Sequence, residues 1–121
     1  MNVSIEDVKK VFLKHVTGVE VKSLAMSAGG VRYTHNTSES DKQFIIVLDD
    51  YQKTKKELLI VFCHEILHVY LHIEENQNGR HEGLEEDIRQ TATLLVLQFS
   101  HEIEDLLLKF LPKTEIEKII A

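Results

Sequence analysis

Residues 61–72, with the sequence VFCHEILHVYLH, constrain this chain more than any other segment. They contain an H-E-x-x-H motif, and on an α-helix its two histidines lie one turn apart on the same face. His64 and His68 can therefore direct two imidazole nitrogens at one metal ion. Zinc accepts such nitrogen ligands, and a catalytic zinc takes three protein ligands plus a water. Glu65 follows the first histidine and can reach that water as a general base.

The motif lies in a strongly apolar stretch, residues 57–73, with apolar side chains on nearly every side of the predicted helix. A helix that is apolar all round is normally buried in the centre of a domain. Burying two histidines and a carboxylate there costs free energy unless these groups are paired or bound to a ligand. A metal site is therefore the favoured interpretation. The alternative is a helix with two hydrogen-bonded histidines and a solvated glutamate.

Three adjacent acids near the start of a later helix offer a third ligand. With Ile88 at the centre of the buried face and about 100° per residue, Glu85 lies about 60° from that centre. Asp87 lies about 100° away on the other side, and Glu86 points almost opposite, at about 160°. Only Glu85 is at the margin of the core face. We predict Glu85 as the third ligand, with Asp87 and Glu86 in reserve.

A small residue supports this choice, because Ala92 would let the motif helix approach closely. The alternative is that the three acids are placed for the helix dipole and that Glu85 pairs with Arg89 four residues later.

The remaining segments predict an α+β fold in one domain, residues 1–121. A first helix, capped by Ser4, ends at Thr17 and Gly18. Three strands are predicted at 19–26, 31–35 and 43–48, joined by hairpins into a mostly antiparallel sheet. The last of them is the most apolar and fits a central strand.

The second half of the chain is predicted to be mainly helical. The motif helix begins near Thr54, where Glu57 three residues later favours a capping box. A polar loop at 74–83 leads to a long helix at 84–111, which carries the third ligand. Pro112 stops that helix, and residues 113–121 form a final short one.

Three further residues are candidates for ordering the site or binding substrate. His72 continues the histidine spacing by another turn, although a surface histidine is an equal alternative. Tyr33 and Tyr70 can polarise a carbonyl. Cys63 points about 100° away from the metal face and is predicted to be a small core residue.

Other histidines have simpler interpretations. His81 lies in the polar loop, where exposure is favoured over a ligand role. His15 is predicted to complement a helix dipole. His101 opens a second His-Glu pair, with Asp105 in the place of a second histidine, and we interpret this segment as a solvated helix face.

Composition excludes several classes of function. The formal net charge of −6 argues against a nucleic-acid-binding surface. No run of 18 apolar residues is present, so no membrane span is expected. The single cysteine excludes an internal disulfide, and residues 1–10 are too charged for a signal peptide. A cytoplasmic location is expected.

Two segments resemble one known family. The run IIVLDDYQKTKKELLIVFCHEILHVYLH at 45–72, followed by GLEEDIRQTATLL at 83–95, resembles the ImmA/IrrE-type zinc metallopeptidases, which are gluzincin-like H-E-x-x-H proteins. That family shows a short strand, a polar segment, a helix of the form F-x-x-A-H-E-x-x-H-x-x-x-H, and a second helix like E-x-x-A-N-x-F-A-x-x-L-L. The resemblance covers roughly residues 44–97. This chain differs in having Cys63 and Leu67 around the motif and Ile88-Arg89 in place of Ala-Asn.

The resemblance implies a small zincin-like domain with one Zn²⁺ per chain. His64, His68 and Glu85 would be its ligands, and Glu65 the catalytic base. Some members of the family cleave a repressor of a phage or mobile element, so the resemblance implies a protein or peptide substrate, such as a separate repressor polypeptide. The oligomeric state is left open.

Two alternative functions remain. One is a non-catalytic zinc-binding regulatory or interaction protein, which a fourth protein ligand such as His81 or His35 would favour. The other is a zinc hydrolase that acts on a substrate other than a peptide.

Overall fold

The computed structural model describes residues 1–33, 43–74 and 84–120, without the side chain of Tyr33. Its elements, in chain order, are α1 (Ile5–His15), β1 (Val16–Lys22), β2 (Gly29–Tyr33), β3 (Phe44–Asp49), α2 (Lys55–Glu74), α3 (Glu85–Leu108) and α4 (Lys113–Ile119). The α+β class predicted from the sequence is confirmed.

The first helix begins at the predicted cap. The Ser4 hydroxyl accepts a hydrogen bond from the backbone N–H of Asp7 at 3.1 Å, and the Asp7 carboxylate accepts one from the Ser4 N–H at 3.0 Å. The predicted helix end and the strand start at residue 19 are wrong by two to three residues. Val16 is already extended and buried, and it pairs with Phe44 in the sheet, so the strand begins where the helix stops.

The sheet is mixed, with the order β1-β3-β2. β1 runs parallel to β3, while β2 runs antiparallel to β3, so the predicted mostly antiparallel sheet of successive hairpins is wrong. The central position predicted for the third strand is confirmed. Phe44, Ile46 and Leu48 are fully buried and Val47 is nearly so. A strand this apolar buries the most apolar surface when it has a neighbouring strand on either side.

The two long helices pack against each other beside the sheet. Glu57 donates its backbone N–H to the Thr54 hydroxyl at 3.1 Å, at the predicted start of α2. α3 is less regular than predicted, because the backbone of Phe99 is non-helical (φ −133°, ψ 39°) without a proline or glycine there. α1 covers α2 through an edge-to-face contact of Phe12 and Phe62, with ring centroids 5.6 Å apart.

No helix in the described ranges is long and apolar enough to cross a lipid bilayer.

Candidate metal centre

Helical spacing brings the two motif histidines together on α2. The rings of His64 and His68 are stacked, with centroids 5.0 Å apart and an interplanar angle of 18°. Their Nε2 atoms lie 3.2 Å from each other. Both side chains are mostly buried, with exposed fractions of 21% and 18%. The two nitrogens thus face one point at the edge of the core.

The first residue of α3 completes the arrangement. Glu85 places Oε2 3.0 Å from His64 Nε2 and Oε1 2.9 Å from His68 Nε2. Ala92, two turns later on α3, is fully buried. Its small side chain fits the close packing of α3 on α2 that the sequence predicted. The carboxylate of Glu85 stays half-exposed, so the three donor groups are open to solvent on one side.

These three residues, here named the metal cluster (His64, His68 and Glu85), form a group that could hold a metal ion, with their donor atoms within 4.8 Å of one another. Ligands of a tetrahedral zinc at 2.0–2.1 Å are separated by about 3.3 Å. The observed separations of 2.9 to 3.2 Å are close to that value. A cation also suits the electrostatics, because two ring nitrogens that face each other cannot both donate a proton across 3.2 Å.

The reserve ligands lie elsewhere. The carboxylate of Asp87 accepts hydrogen bonds from the amino group of Met1 at 2.8 and 2.9 Å. The carboxylate of Glu86 accepts one from the Gln90 amide at 3.2 Å. Of the three adjacent acids, only Glu85, the predicted ligand, faces the histidines, as the helix geometry indicated.

Glu65, the predicted general base, is buried beside the cluster. Glu65 is only 8% exposed. Burial, and then the negative charge of Glu85, raise the pKa of Glu65 to about 8. Glu65 therefore lies within the field of a cluster residue without belonging to the cluster. A bound dication would add an opposite charge nearby, which lowers the pKa of a carboxyl group toward its ordinary value.

A glycine lets the sheet approach this carboxylate. A Cβ atom on Gly29, the first residue of β2, would lie 2.9 Å from Val61 Cγ1 and 3.2 Å from Glu65 Oε2. The sequence pattern placed Gly29 in a turn, so its close approach to α2 was not foreseen. Two adjacent glycines before an alternating strand were the available signal.

The additional candidates are not in the cluster. His72 packs against Phe44 of β3, with ring centroids 5.7 Å apart. Tyr70 is half-buried against the core. The side chain of Tyr33 lies outside the described part of the structure. Cys63 is fully buried and burial raises the pKa of its thiol to about 12, in agreement with a core role.

The remaining histidines divide into three kinds. His35 and His81, the predicted candidates for a fourth ligand, lie outside the described residues. His15 ends α1 as predicted, but it is buried. His101 is exposed on α3, as expected for a solvated face.

Sequence reasoning missed a cleft of about 440 Å³ beside His64. We name it the Arg89 cleft. Its walls come from α2 and α3 and from the segments before β2 and α2, and its lining residues are Ala28, Gln52, Glu57, Ile60, Val61, His64, Arg89 and Thr93. The available signal was the spacing of four between Glu85, Arg89 and Thr93, which puts them on one side of α3.

No protein-family model, curated protein or solved structure matches this chain.

Proposed function

We propose that this protein is a zinc-dependent metalloendopeptidase that cleaves a protein substrate. The observation that carries the proposal is the convergence of His64 Nε2, His68 Nε2 and the Glu85 carboxylate, with the buried Glu65 beside them. Two imidazoles and a carboxylate are a ligand set found in catalytic zinc sites with an open position. The half-exposed side of the metal cluster gives a substrate access to it.

In this mechanism the metal ion would activate the carbonyl and the water, and Glu65 would transfer the proton. Bound zinc would act as a Lewis acid that polarises the scissile carbonyl and lowers the pKa of a water. Glu65 accepts a proton from the attacking water, whose oxygen bonds to the carbonyl carbon, and delivers that proton to the amine as the C–N bond breaks. His64, His68 and Glu85 would hold the ion, so none of them needs to move a proton.

Strand β2 offers a path for the substrate. Among the described strands, β2 pairs only with β3, so its other edge has no strand partner there. Its first residue, Gly29, lies against Glu65. An extended peptide added to this edge would pass the metal cluster with its backbone hydrogen-bonded to β2.

Two finer points rest on the resemblance to ImmA/IrrE-type peptidases alone. We propose that the substrate is a separate repressor polypeptide and that cleavage relieves repression. A cytoplasmic location is proposed with it.

Metal analysis of the purified protein tests the proposal. We expect about one zinc per chain in the wild type and in Glu65→Gln, and loss of zinc in His64→Ala, because Glu65 is not among the ligands. An unfolded protein such as casein is then incubated with each form. Turnover by the wild type that is absent in both variants supports the peptidase. Absence of zinc uptake by the wild type overturns it.

The same measurement separates the non-catalytic alternative. A structural zinc site has no need of a base, so a regulatory protein would bind zinc equally in the wild type and Glu65→Gln and cleave nothing. Turnover on small esters or amides with none on casein would instead indicate a zinc hydrolase of another substrate class.

A further inference from the structure

The Arg89 cleft begins at the metal cluster. His64 is both a residue of that cluster and part of the cleft wall. Ile60 and Val61, on the preceding turn of α2, make the wall apolar on one side. The volume of about 440 Å³ lies within the range of ligand sites, so a large side chain fits.

Arg89 is the cation of this cleft. It lies one helical turn after Glu85 and is exposed. The pairing of these two residues, which was the alternative to a ligand role for Glu85, is not formed, because the Glu85 oxygens face the histidines. In the part of the chain that the structure describes, no carboxylate pairs with the Arg89 guanidinium.

Arg89 and Glu57 lie at different distances from the metal cluster. Glu57 also lines it, but it precedes His64 by seven residues, which is two turns or about 10 Å along α2. Arg89 instead neighbours the cluster residue Glu85. Arg89 is therefore nearer to the metal cluster than Glu57 is.

We propose that the Arg89 cleft receives the side chain of a residue that flanks the scissile bond, and that Arg89 selects an acidic side chain there. The inference rests on the proposed function, because the cleft has this role only if a peptide binds at the metal cluster. A guanidinium binds a carboxylate through two parallel hydrogen bonds, which gives preference over the amide of the same shape. Ile60 and Val61 would contact the methylenes of a glutamate.

Binding of three matched hydroxamates to the zinc-loaded protein tests this without turnover. The probes share the metal-binding group and carry a carboxyethyl, a carboxamidoethyl or an aminobutyl side chain. By isothermal titration we expect the wild type to prefer the carboxyethyl probe over its amide about tenfold, as one charge-assisted contact provides. Arg89→Gln should reduce that ratio to about one, and Arg89→Glu should make the aminobutyl probe the tightest.

A matched control removes the same charge elsewhere. Lys113→Gln, on the exposed start of α4, changes the net charge of the protein as much as Arg89→Gln does. It should keep the wild-type ratio of affinities, because Lys113 does not line the cleft and net charge alone does not distinguish the variants. Zinc content and circular dichroism verify that each variant is loaded and folded.

The outcomes separate the two proposals. Equal binding of the acidic and amide probes by the wild type, or an equal loss of all three probes in Arg89→Gln, overturns the selectivity and leaves the peptidase intact. A wild type that binds all three probes with the expected ratio but cleaves no casein overturns the peptidase, while the charge preference of the cleft stands. If no probe binds the zinc-loaded protein, both proposals fail.

Discussion

Two groups of histidine and acidic residues, one shared by α2 and α3 and the other on α3 alone, lie in different surroundings. The metal cluster lies where the first turn of α3 meets the buried α2. The second group, here named the distal cluster (His101, Glu102 and Asp105), repeats the spacing of four on the second half of α3, but His101 and Asp105 are exposed. Within residues 1–33, 43–74 and 84–120, only the metal cluster brings its donor atoms close enough to hold an ion.

The difference lies in what the opposing helix supplies. At the metal cluster, α3 contributes the carboxylate of Glu85 to two nitrogens of α2. Beside the distal cluster, α2 contributes the ammonium of Lys55, which pairs with Glu104. Across the described segments of this chain, side chains four residues apart come close enough to a third group to hold a metal ion only where the facing helix adds a carboxylate and the core shields one side.

The largest expected effect concerns the two glutamates that follow a histidine. Glu65→Gln should lower kcat on a protein substrate about 1,000-fold while zinc stays bound, because it removes the proposed base and keeps the shape of the side chain. Glu102→Gln makes the same change in the distal cluster and should leave kcat within about twofold of the wild type, since it lies outside the site. Steady-state cleavage of casein measures both. A wild-type kcat in Glu65→Gln would show that Glu65, like Glu102, is not needed for cleavage.

Glu65 and Glu102 should also differ in how they affect the pH dependence of stability in the metal-free protein. Burial raises the pKa of Glu65 to about 8 from an ordinary value of 4.5. The unfolded chain releases this proton near pH 4.5 and the folded chain near pH 8, so the folded state loses stability as pH rises between these values. Glu65→Gln lacks this loss and should be the more stable protein at pH 8, by up to about 4 kcal/mol, with little difference at pH 4.

Urea unfolding of the metal-free proteins at several pH values measures this effect. Glu102→Gln is the control with the same change in charge, and its difference from the wild type should not grow over this range. A pH-independent advantage of Glu65→Gln would mean that the carboxyl group of Glu65 is solvated in the folded protein.

The next effect concerns two glutamates of α3 that face α2. Glu85→Gln should weaken zinc binding about 50-fold, because a neutral amide replaces a proposed charged ligand. Glu104→Gln removes only the partner of Lys55 and should leave zinc affinity unchanged. Competition with a chromophoric chelator gives both dissociation constants. Equal affinity in the wild type and Glu85→Gln would remove Glu85 from the ligand set.

The parts that could be predicted from the sequence depend on local geometry. Helix periodicity placed His64 beside His68 and selected Glu85 from three adjacent acids, and the cap at Ser4 follows from side-chain chemistry within four residues. Strand pairing is not local. Nothing in the alternation of β1 and β2 specifies that β3 inserts between them, so the parallel pair was missed.

The Arg89 cleft was missed for a related reason. It is formed by segments from Ala28 to Thr93 that meet only in the folded chain. Periodicity gives the side of α3 on which Arg89 lies. It does not give the empty volume between that side and α2.

The smallest expected effect compares two adjacent glycines of β2 and tests whether burial distinguishes the metal cluster from the distal one. A Cβ on Gly29 would lie 2.9 Å from Val61 Cγ1, whereas a Cβ on Gly30 would meet nothing within 4 Å. Gly29→Ala must push β2 away from α2 or displace Val61 and Glu65, which should cost about 2 kcal/mol of unfolding free energy. Gly30→Ala should change stability by less than about 0.5 kcal/mol.

The activities of these variants complete the comparison. If β2 both covers Glu65 and receives the substrate, Gly29→Ala should also lower kcat/KM, since the edge strand and the base shift together, while Gly30→Ala should be close to the wild type. Urea unfolding and casein cleavage are measured on the same preparations. Equal stability of the two variants would mean that β2 does not press on α2 at Glu65, and that the burial of the metal cluster has another source.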